Sequence, residues 1–289
     1  MQNNWLKQPR AWIEVFVLCN LGGLAPDIFL AHSVNAFHSR AEYTPLVFSL
    51  VAPTLLLPAL GALATGRLAL WRWLGFIVGG TAVLIGITGL VLHLQSQFFQ
   101  QWTLASLVYA APFAAPLAYT GLGSLLIMNR MVADQETEWA HWVIFFALGG
   151  FVGNFIFTLT DHAQNGFFHW TEWIPVLSSA VAVGFLIVPL LLKVDRSFLW
   201  LCGLVMLVQV GVGTLGFTFH ALADWRNHGE NLFLRIVHGA PIFAPTLFCD
   251  LAVLAGIGIW VLGGGIGPKS TRICTPSPTF QRSDALTRS

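Results

Sequence analysis

Apolar runs of roughly 20 residues recur along almost the whole chain, and that is the length a helix needs to cross the hydrocarbon core of a bilayer. Such runs stand near residues 11–31, 44–66, 71–92, 103–128, 141–160, 173–193, 198–219 and 232–264. Inside lipid every backbone N–H and C=O must be satisfied within the protein, so segments of this kind fold as helices. Composition agrees. Of 289 residues 56% are hydrophobic and 9% are charged, whereas soluble domains carry about 25% charge. The expected fold is an all-α integral membrane protein with eight transmembrane helices.

This frame excludes several functions. The formal net charge is +1 and no Lys/Arg-rich run occurs, so nucleic acid is not an expected partner; the lipid bilayer is. No GxSxG, P-loop or dinucleotide fingerprint is present, and no catalytic nucleophile can be named. Cys19, Cys202 and Cys249 fall inside apolar runs and Cys274 lies near the C-terminus, with no CxxC pair. They are expected to be small buried hydrophobes, not disulfides or thiolate ligands. Lys7 and Arg10 before an apolar stretch resemble a signal peptide, but Glu14 interrupts the stretch and no small-x-small site follows, so the segment reads as a retained first helix.

Basic residues gather on alternate connections. Lys7, Arg10, Arg67, Arg72, Arg130, Lys193, Arg196, Lys269, Arg272, Arg282 and Arg288 mark one side, and only Arg40, Arg226 and Arg235 the other. The positive-inside rule then puts both termini in the cytoplasm. Sparse charge and the absence of organellar signals suggest a bacterial inner membrane.

A fourfold spacing organises the chain further. Trp12 precedes His32 by twenty residues, and Trp73–His93, Trp142–His162 and Trp200–His220 repeat that interval. Twenty helical residues rise about 30 Å, the thickness of the hydrocarbon core, so each odd-numbered helix is expected to end at its histidine on the outer face. An aromatic follows five residues later, at Phe37, Phe98, Phe167 and Trp225, and Glu42, Glu172 and Glu230 follow after ten, with Thr103 in the remaining unit. His32, Asn35, Phe37, Glu42 and Pro45 match His162, Asn165, Phe167, Glu172 and Pro175 without a gap, and Tyr109 in YAAPFAAP matches His238 in HGAPIFAP. The implied plan is four helical hairpins in tandem, a 4+4 pseudo-twofold with parallel halves. Its divisions are a cytoplasmic N-terminus (1–10), a first four-helix repeat (11–128), a cytoplasmic linker (129–140), a second repeat (141–265) and a disordered cytoplasmic tail (266–289). In layout, two tandem four-helix blocks with one histidine per hairpin, the chain is similar to the haem A synthases, although its histidines end odd-numbered helices.

The recurring histidines are the candidate site. Their plain role is structural: a histidine at a helix C-terminus can donate to free carbonyls, and Glu42 and Glu172, three residues before a proline, can complement the next helix N-terminus. Their chemical role is ligation, because imidazole with carboxylate suits divalent transition metals and a histidine pair suits haem. His32, His93, His162 and His220 are then the ligands, with Glu42 and Glu172 as further ligands or partners that fix the imidazole tautomers. His38, His169, His228 and Glu230 are additional candidates, and the four outer connections could converge on one mouth. A redox-active haem or metal protein is the leading expectation.

A second possibility is a transporter of a small solute or metal ion. Charge inside a span is costly and often functional, which singles out Asp27, Asp250 and His238; Asn154 also lies within a span. Glu14 is expected to sit near the inner interface, and Arg235 to snorkel outward and pair with Glu230. The proline pairs Pro112/Pro116 and Pro241/Pro245 should bend the fourth and eighth spans. The third possibility is a membrane scaffold with structural histidines.

Overall fold

The computed structural model describes residues 8–95, 98–103, 106, 112, 114–134, 137–164, 166–226 and 231–264, and every regular element among them is helical. The main helices are α1 (Pro9–Ser33), α2 (Tyr43–Ala64), α3 (Leu68–His93), α4 (Leu117–Met131), α5 (Thr137–Gln164), α6 (Trp173–Leu191), α7 (Arg196–Arg226) and α8 (Thr246–Leu262). Among the described residues six helices are long and apolar enough to cross a membrane: α1, α3, α5 and α7, and α2 and α6 together with the 3-10 turns that precede them. This is a helical membrane protein.

Local chemistry sets the helix ends. Pro9 opens α1, where a missing N–H costs nothing. Behind α2, Gly66 takes φ +74° and lets the Arg67 N–H reach back to the Ala62 carbonyl, the bond that closes a Schellman turn. Asp195 starts α7 by accepting from the Phe198 N–H at 2.9 Å.

The helices of each half pack in the same order: α1 on α2, α2 on α3, α3 on α4 and α4 back on α1, then α5 on α6, α6 on α7, α7 on α8 and α8 back on α5. Contacts of α1 with α8 and of α4 with α5 join the halves. The core is centred on α5, whose Trp139, Ala140, Val143, Ile144, Ala147 and Phe151 are wholly buried. Between apolar helices in lipid, small residues that let backbones approach provide the adhesion. A Cβ on Gly79 would stand 2.9 Å from the Gly123 carbonyl, so α3 and α4 cross almost backbone to backbone.

Four expectations need correction. The eighth run, 232–264, is not one helix. A short helix Leu232–His238 is followed by a non-helical stretch over 239–245 before α8 begins. The proline pair stops the helix where a bend was expected, because two missing N–H donors four residues apart remove consecutive turns. Likewise α4 begins only after Pro116, while much of 103–113, including Tyr109, lies outside the described residues. α7 runs six residues past His220 to Arg226, so that histidine does not end its helix. Within the bundle Glu14 is fully buried. It meets Arg130 of α4, itself buried and not a free linker charge, at 2.7 Å and accepts from Trp71 Nε1 at 3.2 Å. Finally, Cys202 is buried as expected, but Cys19 is exposed on the surface of the bundle; Cys274, the tail and residues 1–7 lie outside the described residues.

Candidate functional site

The first and third hairpins close with the same geometry. In the first, the chain leaves α1 through Ala36 and Phe37 at φ +55° and +52°, and the Phe37 N–H bonds back to the His32 carbonyl at 3.0 Å. In the third, Phe167 takes φ +52° and bonds back to the His162 carbonyl at 3.1 Å. Non-glycine residues enter this region of backbone space only when their surroundings over-determine it. The cause here is stacking: Phe37 lies on Tyr43 with ring centroids 4.7 Å apart, and Phe167 on Trp173 at 4.0 Å. Each turn folds its histidine against the start of the next helix.

That fold sets a carboxylate beside each imidazole. Glu42 accepts with Oε1 from the Ser39 N–H, and Glu172 with Oε1 from the His169 N–H, both at 3.3 Å. Their Oε2 atoms lie 3.4 Å from His32 Nδ1 and 3.6 Å from His162 Nδ1. These contacts are longer than a hydrogen bond and become ion pairs when the imidazole is protonated. Each glutamate thus does what the structural role required, holding the turn, and keeps a second oxygen for the histidine. Asn35 Nδ2 steadies Glu42 from the side at 3.1 Å; the matching Asn165 lies outside the described residues.

His93 and His220 are held differently. His93 Nδ1 lies 2.9 Å from the Pro112 carbonyl and His220 Nδ1 2.9 Å from the Pro241 carbonyl. A carbonyl only accepts, so both rings carry their proton on Nδ1 and, when neutral, present the lone pair of Nε2 outward. The histidines do not cap their own helices; each adds a second partner to a carbonyl that also accepts from the N–H three residues on, where proline interrupts the neighbouring segment. Close glycine contacts draw the partners together, since a Cβ on Gly89 would stand 2.8 Å from Pro116 Cβ and one on Gly216 2.8 Å from Pro245 Cβ.

Two of the four histidines meet directly and the other two share a cavity. His32 and His93 are neighbours, with ring centroids 6.4 Å apart and planes at 77°. His162 and His220 both line a cavity of about 770 Å³, together with His169, Glu172, Asn154 and Phe248. Pro112, the residue that holds His93, also lines this cavity. No group of three or more His, Cys, Asp or Glu side chains is placed to hold a metal ion among the described residues.

Other candidates lie apart. His38 is exposed, and His228 and Glu230 fall outside the described residues. Asp27 is exposed on α1, Asp250 half-buried on α8, and His238 exposed at the end of its short helix; none lines the cavity. Arg235 donates from Nη1 to the Trp225 carbonyl at 2.9 Å.

Two polar groups carry more than the sequence announced. Asp224, 4% exposed, accepts from the Ala240 N–H at 3.0 Å and braces the interruption before α8. Its signal was faint, an acid beyond the presumed end of the seventh run. Asn154, 5% exposed, lines the cavity, and its buried Nδ2 finds no hydrogen-bond partner. Its signal was plain, a lone amide in an apolar run. No protein-family model, curated protein or solved structure matches the chain.

Proposed function

We propose that this protein is an electron-carrying haem protein of the membrane, with His32 and His93 as the axial ligands of one haem. The observation that carries the reading is the pairing of two histidines whose Nδ1 atoms each face a protein acceptor. Glu42 faces the first and the Pro112 carbonyl binds the second. Ligating histidines use such a partner to fix the tautomer and raise the basicity of Nε2. Two imidazoles meeting one ion through nitrogens at about 2.0–2.1 Å place their ring centres roughly 6 Å apart, and these stand at 6.4 Å. Two protein ligands are too few for a closed site on a bare transition metal, which takes about four. Haem supplies four nitrogens itself and asks the protein for one or two. With both axial positions filled by histidine no coordination site is left for substrate, so the group suits electron transfer.

The reading includes eight crossings in two matching four-helix halves with both termini in the cytoplasm. The recurring helix order, the two His–Pro carbonyl bonds and the two His–Glu contacts support it.

The test is a visible spectrum of the full chain, purified in mild detergent without a histidine tag from cells supplied with haem precursor. One haem per chain is expected, with a six-coordinate low-spin spectrum that sharpens on reduction. His32→Ala and His93→Ala should each abolish that spectrum while leaving a monodisperse protein. A colourless wild type would sink the proposal.

Transport through Asp250 and His238 is the second reading, favoured by the interrupted segment before α8, since discontinuous helices often line translocation sites. It requires Asp250→Asn to abolish flux of the cargo in vesicles; unchanged flux removes Asp250 from any pathway.

A further inference from the structure

The two halves share their histidines but not their walls. Counted back from the histidine, Leu24, Ile28 and Ala31 of α1 correspond to Asn154, Thr158 and Asp161 of α5. These three α5 residues fall at i, i+4 and i+7, on one helical stripe, and all three line the cavity. Across from them α7 contributes Val212, Leu215 and Phe219, and Phe248 of α8 closes the same space. The second half has therefore a cavity with one polar wall and one apolar, aromatic wall. A haem offers apolar faces to both sides of its slot and has no use for a buried amide and a half-buried hydroxyl along one of them.

We propose that this cavity binds the head group of a membrane-soluble quinone. The orphaned Asn154 Nδ2 calls for an acceptor, since a buried donor left without a partner is unfavourable. Thr158 lies four residues on, about 6 Å along the axis, so the two side chains can reach different oxygens of one ring. One carbonyl oxygen accepts from the Asn154 amide and the other from the Thr158 hydroxyl, while the ring lies flat against Phe219 and Phe248. Toward the mouth Asp161, His162, Glu172 and His220 offer proton-exchanging groups, and Glu172 Oε2 has no hydrogen-bond partner. A volume of about 770 Å³ lies within the 300–1,000 Å³ typical of small-molecule sites. The site stands on the cavity's own lining and does not require the haem of the first half.

The experiment is calorimetric titration of the purified full chain with a decyl-substituted benzoquinone in detergent, with haem content measured on the same samples. Saturable one-to-one binding is expected, weakened at least tenfold by Asn154→Leu, which installs the residue of the first half. That variant removes an unpaired buried amide, so it should fold at least as well as the wild type, and Thr158→Val provides an independent loss. His32→Ala, a residue that does not line the cavity, should leave quinone binding intact while removing the haem. Absence of saturable binding, or equal affinity in Asn154→Leu and wild type, overturns the assignment. So does a second haem per chain that disappears in His220→Ala, because the cavity would then be a haem pocket.

Discussion

Glu14 and Arg130 show what a single charge means in this interior. Both side chains are completely buried; Arg130 donates to Glu14 and, through Nε, to the Trp71 carbonyl, and its guanidinium lies 4.1 Å from the Trp71 ring centroid. Arg10 adds an ion pair with Asp134 and a second cation over Trp71. The cluster ties α1, α3 and α4 together at the end opposite the histidines. Removing one partner leaves an uncompensated charge, which costs about 3–5 kcal/mol, whereas replacing both with apolar residues is often close to neutral. Glu14→Leu alone should therefore lower the thermal midpoint strongly, and Glu14→Leu with Arg130→Met should recover most of the loss. If the double variant melts no higher than the single one, the pair is not acting as a compensated unit. Sequence showed both residues but not their partnership, because 116 positions separate them and only the packing of α4 on α1 closes that gap.

At the scale of elements, the interrupted segment before α8 is held by a few contacts along α7. Gly213 and Gly216 admit Pro245, His220 takes the Pro241 carbonyl, and Asp224 takes the Ala240 N–H. A Cβ on Gly213 would stand 2.7 Å from Cys249 Sγ and 2.8 Å from the Pro245 carbonyl oxygen. Gly213→Ala should thus cost about 1–3 kcal/mol, the usual range for overpacking. Gly211, one helical step away, has open space around it, and Gly211→Ala should be neutral or stabilise by up to about 1 kcal/mol through helix propensity. Comparing the two melting curves separates close approach from a general intolerance of alanine in α7. The proline pairs were legible as irregularities. Their severity was not, because it depends on whether neighbours brace the interrupted backbone, and here His220 and Asp224 do so.

For the whole molecule, the proposed orientation is accessible to labelling. In a cysteine-free background, His38→Cys and Phe168→Cys should react with a membrane-impermeant maleimide on intact cells, and Arg67→Cys and Lys193→Cys only after the cells are opened. All four native residues are exposed at helix connections, so substitution disturbs little packing. Labelling of Arg67→Cys on intact cells would reverse the orientation and place the histidine layer in the cytoplasm.

The sequence by itself determined the helical class, because apolar length and scarce charge leave a chain in lipid no other way to satisfy its backbone. It also marked the histidines and the glutamates ten residues on, since regular spacing on a helix is spacing in depth. Tertiary structure decided which histidines meet. A shared depth places four rings in one layer, but only the order of helix packing brings His32 to His93 and sets His162 and His220 around a cavity. It also decided the atoms. Nδ1 is committed in His93 and His220 because proline carbonyls from distant segments arrive there, and no local pattern around a histidine encodes that arrival.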